Sequence, residues 1–297
     1  MKQNGHQSNT ARPKVGLALG GGGARGFAHI GALQVLIEND IPIDMVAGTS
    51  MGAIIGSSCV CGLNLDKLLL LLKKLDLHDL LGVPQSPLPE VMERTASEYL
   101  FQRRGWRDED QEKTLKLIGF FKLLTHDKSF AEVDIPFACV AADVDTGDEV
   151  VMDRGKISRA LAASAALPGI HDPVRWEDHL LVDGGIIDRV PIRVAVALGA
   201  DIVIGVNVSG ELADHVDTSL EVIRQSMSIT AQALMHTQLE LMYERLGEKL
   251  LVVSPDVSEI RTLALDEIDA PVKSGRDAME AALPNIQRII KNAQSVI

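Results

Sequence analysis

With 297 residues, a formal net charge of −12 and 46% hydrophobic residues, the chain is long enough for one large α/β domain. It is too acidic, and too poor in Lys/Arg runs, for a general nucleic-acid binder. Its three cysteines, Cys59, Cys61 and Cys139, are an odd number with two in apolar surroundings, which fits free thiols in a reducing compartment and leaves Cys59 and Cys61 without companion zinc ligands.

Residues 1–13 are polar and read as a disordered tail without a leader sequence. A strand is expected at 15–19, followed by the glycines of LALGGGGARGFAHIGAL and an amphipathic helix. Further strands are expected at 45–47, 135–141, 149–152, 180–182, 202–208 and 250–253, with helices between several of them. Strands alternating with helices predict a three-layer α/β/α sandwich on a mostly parallel sheet. Residues 63–128 carry no strand signal and read as a helical insertion, broken at Gly82-Val83-Pro84 and Arg104-Gly105.

A long helix is expected from Thr218, with Glu221 as capping-box partner, to Gly247, and a last one over 277–290. Met227, Met235 and Met242 of the long helix read as core filling. The expected organisation is therefore one domain over 14–210 and a mostly helical extension, 211–297, packed on it. No apolar run reaches the roughly 18 residues of a membrane span, since 68–72 is flanked by Lys67 and Lys73 and 194–208 contains Asp201. A cytoplasmic protein is expected, at most peripheral at a membrane. The aromatics and arginines of residues 99–107 fit either a lipid-docking surface or a helix end with its aromatics packed inward.

Gly21, Gly23 and Gly26 satisfy G-x-G-x-x-G, so the loop could cradle a dinucleotide phosphate or hold the oxyanion of an acyl transfer. A dinucleotide site expects an acidic residue about 20 positions on, at the end of the second strand. Gly48-Thr49-Ser50-Met51-Gly52 stands there instead, and Asp44 precedes that strand. This G-x-S-x-G follows a strand and precedes a helix, the setting in which a sharp turn presents a nucleophilic serine; the bland reading of Ser50 is a helix cap. Asp183 ends a strand and is followed by Gly184 and Gly185, which offers a carboxylate at a tight turn or, in the bland reading, an Asx turn.

Together with Ala163-Ser164-Ala165-Ala166-Leu167-Pro168, these blocks resemble the patatin-like phospholipase family over about residues 14–210. The resemblance implies a serine hydrolase acting on lipid acyl esters, phospholipids or lysophospholipids, with nucleophile Ser50 and general base Asp183. It further implies an oxyanion hole from main-chain N–H groups at Gly21, Gly22, Gly23 and Met51, supported by Arg25, Gly26, Gly48, Gly52, Gly184 and Gly185, with no metal and no cofactor. The insertion would then be a candidate lid over a lipid or acyl-ester substrate. Where the family pattern expects Asn after the DGG, this chain has Asp188-Arg189-Val190-Pro191. For Asp183 to act as a base its pKa must rise, and the apolar flank 180–182 with Ile186 and Ile187 is compatible with a dry site. Arg25 is read as a brace for the glycine loop, with a phosphate contact as the alternative.

Other constellations compete. Asp143 or Asp145 with His171 or His179 would give a Ser-Asp-His order, leaving the DGG block unexplained. His171, Asp172, Asp178 and His179 superficially suggest a metal cluster, and Asp143-x-Asp145-x-Gly147 fails the EF-hand pattern and reads as a hairpin at Thr146-Gly147. His29 reads as a packed or capping residue. A reading of another class is a regulatory or scaffold protein on the same fold, with little or no turnover.

Overall fold

Runs rich in Val, Ile and Ala with no charge between them can be buried on both faces, and they make the middle of the sheet. In the computed structural model, which describes residues 12–83, 111–212, 216 and 219–295, β1 (Val15–Leu19), β2 (Met45–Thr49), β3 (Phe137–Asp143) and β7 (Ile202–Val206) are buried at every position. β4 (Glu149–Met152), β5 (Val174–Trp176), β6 (His179–Asp183) and β8 (Leu250–Val253) complete a sheet of order β5-β6-β3-β2-β1-β7-β8, with β4 also on β3. The pairs from β3 through β8 are parallel, whereas β4 and β6 run antiparallel to β3, and β5 antiparallel to β6. β5, a three-residue strand, was not expected from the sequence, and β3 lies two residues downstream of its expected range.

Alternation along the strands separates two cores. Leu17, Leu19, Val46, Cys139 and Ile204 face α1 (Ala28–Glu38), α2 (Met51–Val60), the insertion helices α3 (Leu65–Leu72), α4 (Leu77–Leu80) and α5 (Gln111–Thr125), and α6 (Ile157–Ser164). Ala18, Ala47, Ala138 and Val203 face α7 (Ile192–Ala197) and α8 (Ser219–Leu246), where Met235 and Met242 are buried and Met227 half-buried. The result is the expected α/β/α layering. The expected start of α8 at Thr218 and the 99–107 stretch lie outside the described residues. All three cysteines are free. Among the described residues no helix is long and apolar enough to cross a membrane.

α1 departs from the expected amphipathic helix, because Ala28–Leu33, Val35 and Leu36 are all buried. Its second face is covered by α9 (Asp269–Gln294), which is longer than expected and carries Pro284 inside it. A Cβ at Gly275 would overlap the Ala28 carbonyl, and one at Gly31 the Val272 carbonyl, so the two helices touch backbone to backbone. Gly275→Ala is expected to lower stability by about 2–3 kcal/mol, as overpacking against a rigid partner does. Urea denaturation reads this as a lower midpoint at unchanged slope.

Candidate active site

Ser50 stands between β2 and α2 at φ 54°, ψ −123°, a left-handed conformation unusual for a residue with a side chain. The turn is tight enough that a Cβ on Gly48 would overlap the Ala53 backbone and one on Gly52 the Leu19 carbonyl. The hydroxyl of Ser50, a residue only 7% exposed, donates to Asp183 Oδ2 at 2.6 Å. The other carboxylate oxygen, Oδ1, accepts the Gly185 N–H at 2.7 Å, which fixes the carboxylate plane. Burial raises the Asp183 pKa to about 6, against the opposing pull of the Ser50 and Gly185 hydrogen bonds and the Arg189 charge. The register explains the meeting. Thr49 pairs with Val140 and Asp183 with Ala141, so consecutive residues of β3 bring the ends of β2 and β6 to one level, and even-numbered residues along β3 bond to both strands, which places them on the same side of β3. β6 is antiparallel there, so the carboxyl-end rule that singled out Asp183 in the sequence applies to parallel strands and is not what places it.

The glycine loop follows β1 and turns at once into a short 3-10 segment, Gly23–Phe27. The Gly20 N–H donates to Val206 O, the Gly21 N–H to Arg189 O at 2.9 Å and the Ala24 N–H to Thr262 O at 2.8 Å. Gly21, expected to offer an oxyanion donor, therefore has its N–H committed to the main chain. Among the described residues Gly22, Gly23 and Met51 keep their N–H groups without a protein acceptor. Gly23 has φ +57°, and a Cβ there would overlap the Thr262 carbonyl, so only glycine fits. Gly26 lies against the Met51 side chain and Gly184 against the Val140 carbonyl.

Arg25 Nε donates to Ile260 O at 2.6 Å, consistent with its reading as a brace. His29 is wholly buried, with its Nε2 2.7 Å from Gly20 O; burial holds its pKa down to about 4, so the neutral ring donates its Nε2 proton to that carbonyl from beneath the loop. Ile260 and Thr262, in the extension that the sequence reading kept apart from the site, carry no motif that marks them as loop supports.

The alternatives assemble differently. His179 Nδ1 lies 2.8 Å from Oδ2 of the buried Asp143, but His179 lines a separate cleft beside β4 and β5. Gly147 has φ +79° and closes the β3–β4 hairpin. His171 reaches the pocket beside Ser50, where its Nδ1 accepts the Leu167 N–H at 3.1 Å and its Nε2 lies 2.5 Å from Leu81 O, so neither ring nitrogen is left for Ser50. Among the described residues no group of three or more His, Cys, Asp or Glu side chains could hold a metal ion.

The pocket is a narrow cavity of about 30 Å³ walled by Met51, Ile54, Leu81, Val83, Leu117 and Leu263, among others. Asp188, in the stretch 188–191 that stands where the family pattern expects Asn before a Pro, is buried, and its burial raises its carboxyl pKa to about 7. Its carbonyl accepts from Thr49 Oγ1 at 2.9 Å, while the next carbonyl, of Arg189, holds Gly21. This departure thus sits in the strut between the serine turn and the glycine loop.

A family model described as patatin-like phospholipase matches residues 17–196, more than half of the chain. The chain belongs to the patatin-like phospholipase family. This patatin-like chain is 32% identical over 201 residues to an uncharacterized NTE family protein of Mycobacterium bovis, covering 68% of this chain and 51% of that one. It is 31% identical over 196 residues to the lysophospholipase NTE1 of Mycosarcoma maydis, covering 65% of this chain and 10% of that one. It spans about half the length of the mycobacterial relatives it matches. In fold, the patatin-like chain is similar to VipD of Legionella pneumophila (TM-score 0.53, 14% identity, 93% of this chain and 67% of that one). It is also similar to human GIVD cytosolic phospholipase A2 (TM-score 0.52, 11% identity, 100% and 61%).

Proposed function

We propose that this chain hydrolyses acyl ester bonds of lipids, phospholipids or lysophospholipids, with Ser50 as nucleophile and Asp183 as general base. The observation that carries the reading is the 2.6 Å hydrogen bond from Ser50 Oγ to the buried Asp183 carboxylate, made by a serine held in a left-handed turn. As Ser50 Oγ bonds to the ester carbonyl carbon, its proton passes to Asp183 Oδ2. Asp183 returns that proton to the departing alcohol as the ester C–O bond breaks. In the second half-reaction Asp183 takes a proton from water, the hydroxide frees the fatty acid, and Ser50 Oγ recovers its proton.

The oxyanion faces the N–H groups of Gly22, Gly23 and Met51, with the start of α2 adding its dipole. Gly21 acts through position alone, its N–H being held by Arg189 O. A cavity of about 30 Å³ has room for roughly one water, so an acyl chain enters by parting Leu81 and Val83 of the insertion from Leu263 and Leu265. In this reading the insertion serves as a lid, and the protein meets its lipid peripherally, at the surface of a membrane.

The test is a fluorophosphonate probe with peptide mapping, followed by esters of rising chain length. Adduct on Ser50, absent in Ser50→Ala, and turnover that rises with acyl length are the expected results. A folded wild-type protein that forms no adduct and turns over no ester would overturn the reading in favour of a regulatory or scaffold role.

A further inference from the structure

The block at residues 163–168 helped to mark the family, yet the chemistry above gives it no role. Its Ser164 ends α6, is wholly buried and points at β3. In the β2–β3 ladder the Val46 N–H donates to Pro136 O at 2.9 Å, with Val46 opposite Phe137 and Gly48 opposite Cys139. Parallel rungs recur every second residue, so the rung after Gly48 would run from the Ser50 N–H to Val140 O. That rung is not made directly. The Ser50 N–H instead donates to Ser164 Oγ at 2.9 Å, and the Ser164 hydroxyl donates to Val140 O at 2.6 Å. One side-chain hydroxyl is spliced into a main-chain hydrogen bond.

We propose that Ser164 is a positioning residue for the nucleophile, holding the Ser50 main chain one hydroxyl's width away from β3 and so keeping the strained turn in place. This rests on the reading of Ser50 as nucleophile. Without the hydroxyl, the Ser50 N–H and the Val140 carbonyl either stay buried and unpaired or close on each other, which draws Ser50 back towards regular strand geometry. Both outcomes displace Oγ from Asp183. Two residues on, Ala166 O accepts the Asp183 N–H at 2.9 Å, so the same short block grips the main chain of both partners. Ser164 itself touches neither Ser50 Oγ nor the pocket.

The experiment compares wild type, Ser164→Ala, Ser164→Thr and Ser164→Cys in three readouts: rate of fluorophosphonate labelling, kcat and KM on a short-chain ester, and hydrogen exchange of the Ser50 amide by NMR. Ser164→Ala is expected to slow labelling and kcat together by about 10–100-fold with KM within about twofold, the size of loss that a small misplacement brings. Threonine, which keeps the hydroxyl, should restore most of both rates. Cysteine, similar in volume but a weak hydrogen-bonding partner, should behave like alanine and supplies the comparison should the alanine variant not fold. The Ser50 amide should exchange at least about tenfold faster in Ala and Cys than in wild type or Thr. Wild-type rates in Ser164→Ala, a loss confined to KM, or a threonine variant as slow as alanine overturns the proposal. If wild type itself forms no adduct, the hydrolase reading fails separately, and unchanged Ser50 amide protection in the variants then overturns the positioning role on its own.

Discussion

Asp183→Asn is expected to slow phosphonylation of Ser50 and ester turnover by about 10³-fold, the scale of a lost general base. In wild type the base must be ionised, and burial puts its pKa at about 6. The pH–rate profile should therefore be flat above about pH 7, reach half its maximum near pH 6 and fall tenfold per unit below that. The same shift predicts an opposite effect on stability. A carboxyl whose folded pKa lies above its unfolded value of about 3.9 binds its proton more tightly in the folded state, so its ionisation penalises the fold. The penalty is absent below about pH 4, grows between pH 4 and 6, and is complete above, at roughly 3 kcal/mol for about two units. Asparagine removes it. The variant that loses activity should melt at a higher temperature than wild type at pH 8 and at the same temperature near pH 4; a lower Tm at pH 8 would refute this account of the site.

Asp188→Asn should have the larger effect on stability. Burial is the cause that lifts its pKa to about 7, so about three units separate its folded and unfolded states. At pH 8 the ionised group costs roughly 4 kcal/mol, and the substitution should raise Tm by about 8 °C in a chain of this size. The sign is again that of a raised carboxyl: wild type loses stability as pH climbs from 4 to 7, and the variant does not. Parallel melting curves from pH 4 to 8, or a variant that is less stable at pH 8, would show that Asp188 gains a partner when ionised.

Much of the centre was readable, because a buried parallel strand has to be an apolar run, and the runs at β1, β2, β7 and β8 are each preceded by a charged residue, Lys14, Asp44, Asp201 and Lys249. β5 was not, since Val174–Trp176 is three residues long with an arginine in the middle. The pattern of α1 misled because its second apolar face is answered by α9, some 240 positions away, through contacts between Gly31, Gly275 and facing carbonyls. Asp183 was singled out by a rule for parallel strands, although its own strand runs the other way. The loop motif showed which residues are bare of side chains, but not that Arg189 O takes the Gly21 N–H, because one hydrogen bond to a distant carbonyl leaves no trace in composition. Ser164 was visible as a letter in a block; its use depends on register, which only the folded sheet sets.

The strand order bears on where this protein can be cut. The family match ends at residue 196, yet β7, which begins at Ile202, is the strand that pairs β1 on the side away from β2. A fragment ending at the match would turn β1, five apolar residues without a charge, into an open edge, with its N–H and C=O groups bare along one side. It would also strip Thr262 from the loop that begins where β1 ends. Such a fragment should precipitate or pair edge to edge with its copies, so the smallest soluble unit is set by hydrogen-bonded neighbours in the sheet and runs on into the C-terminal helix.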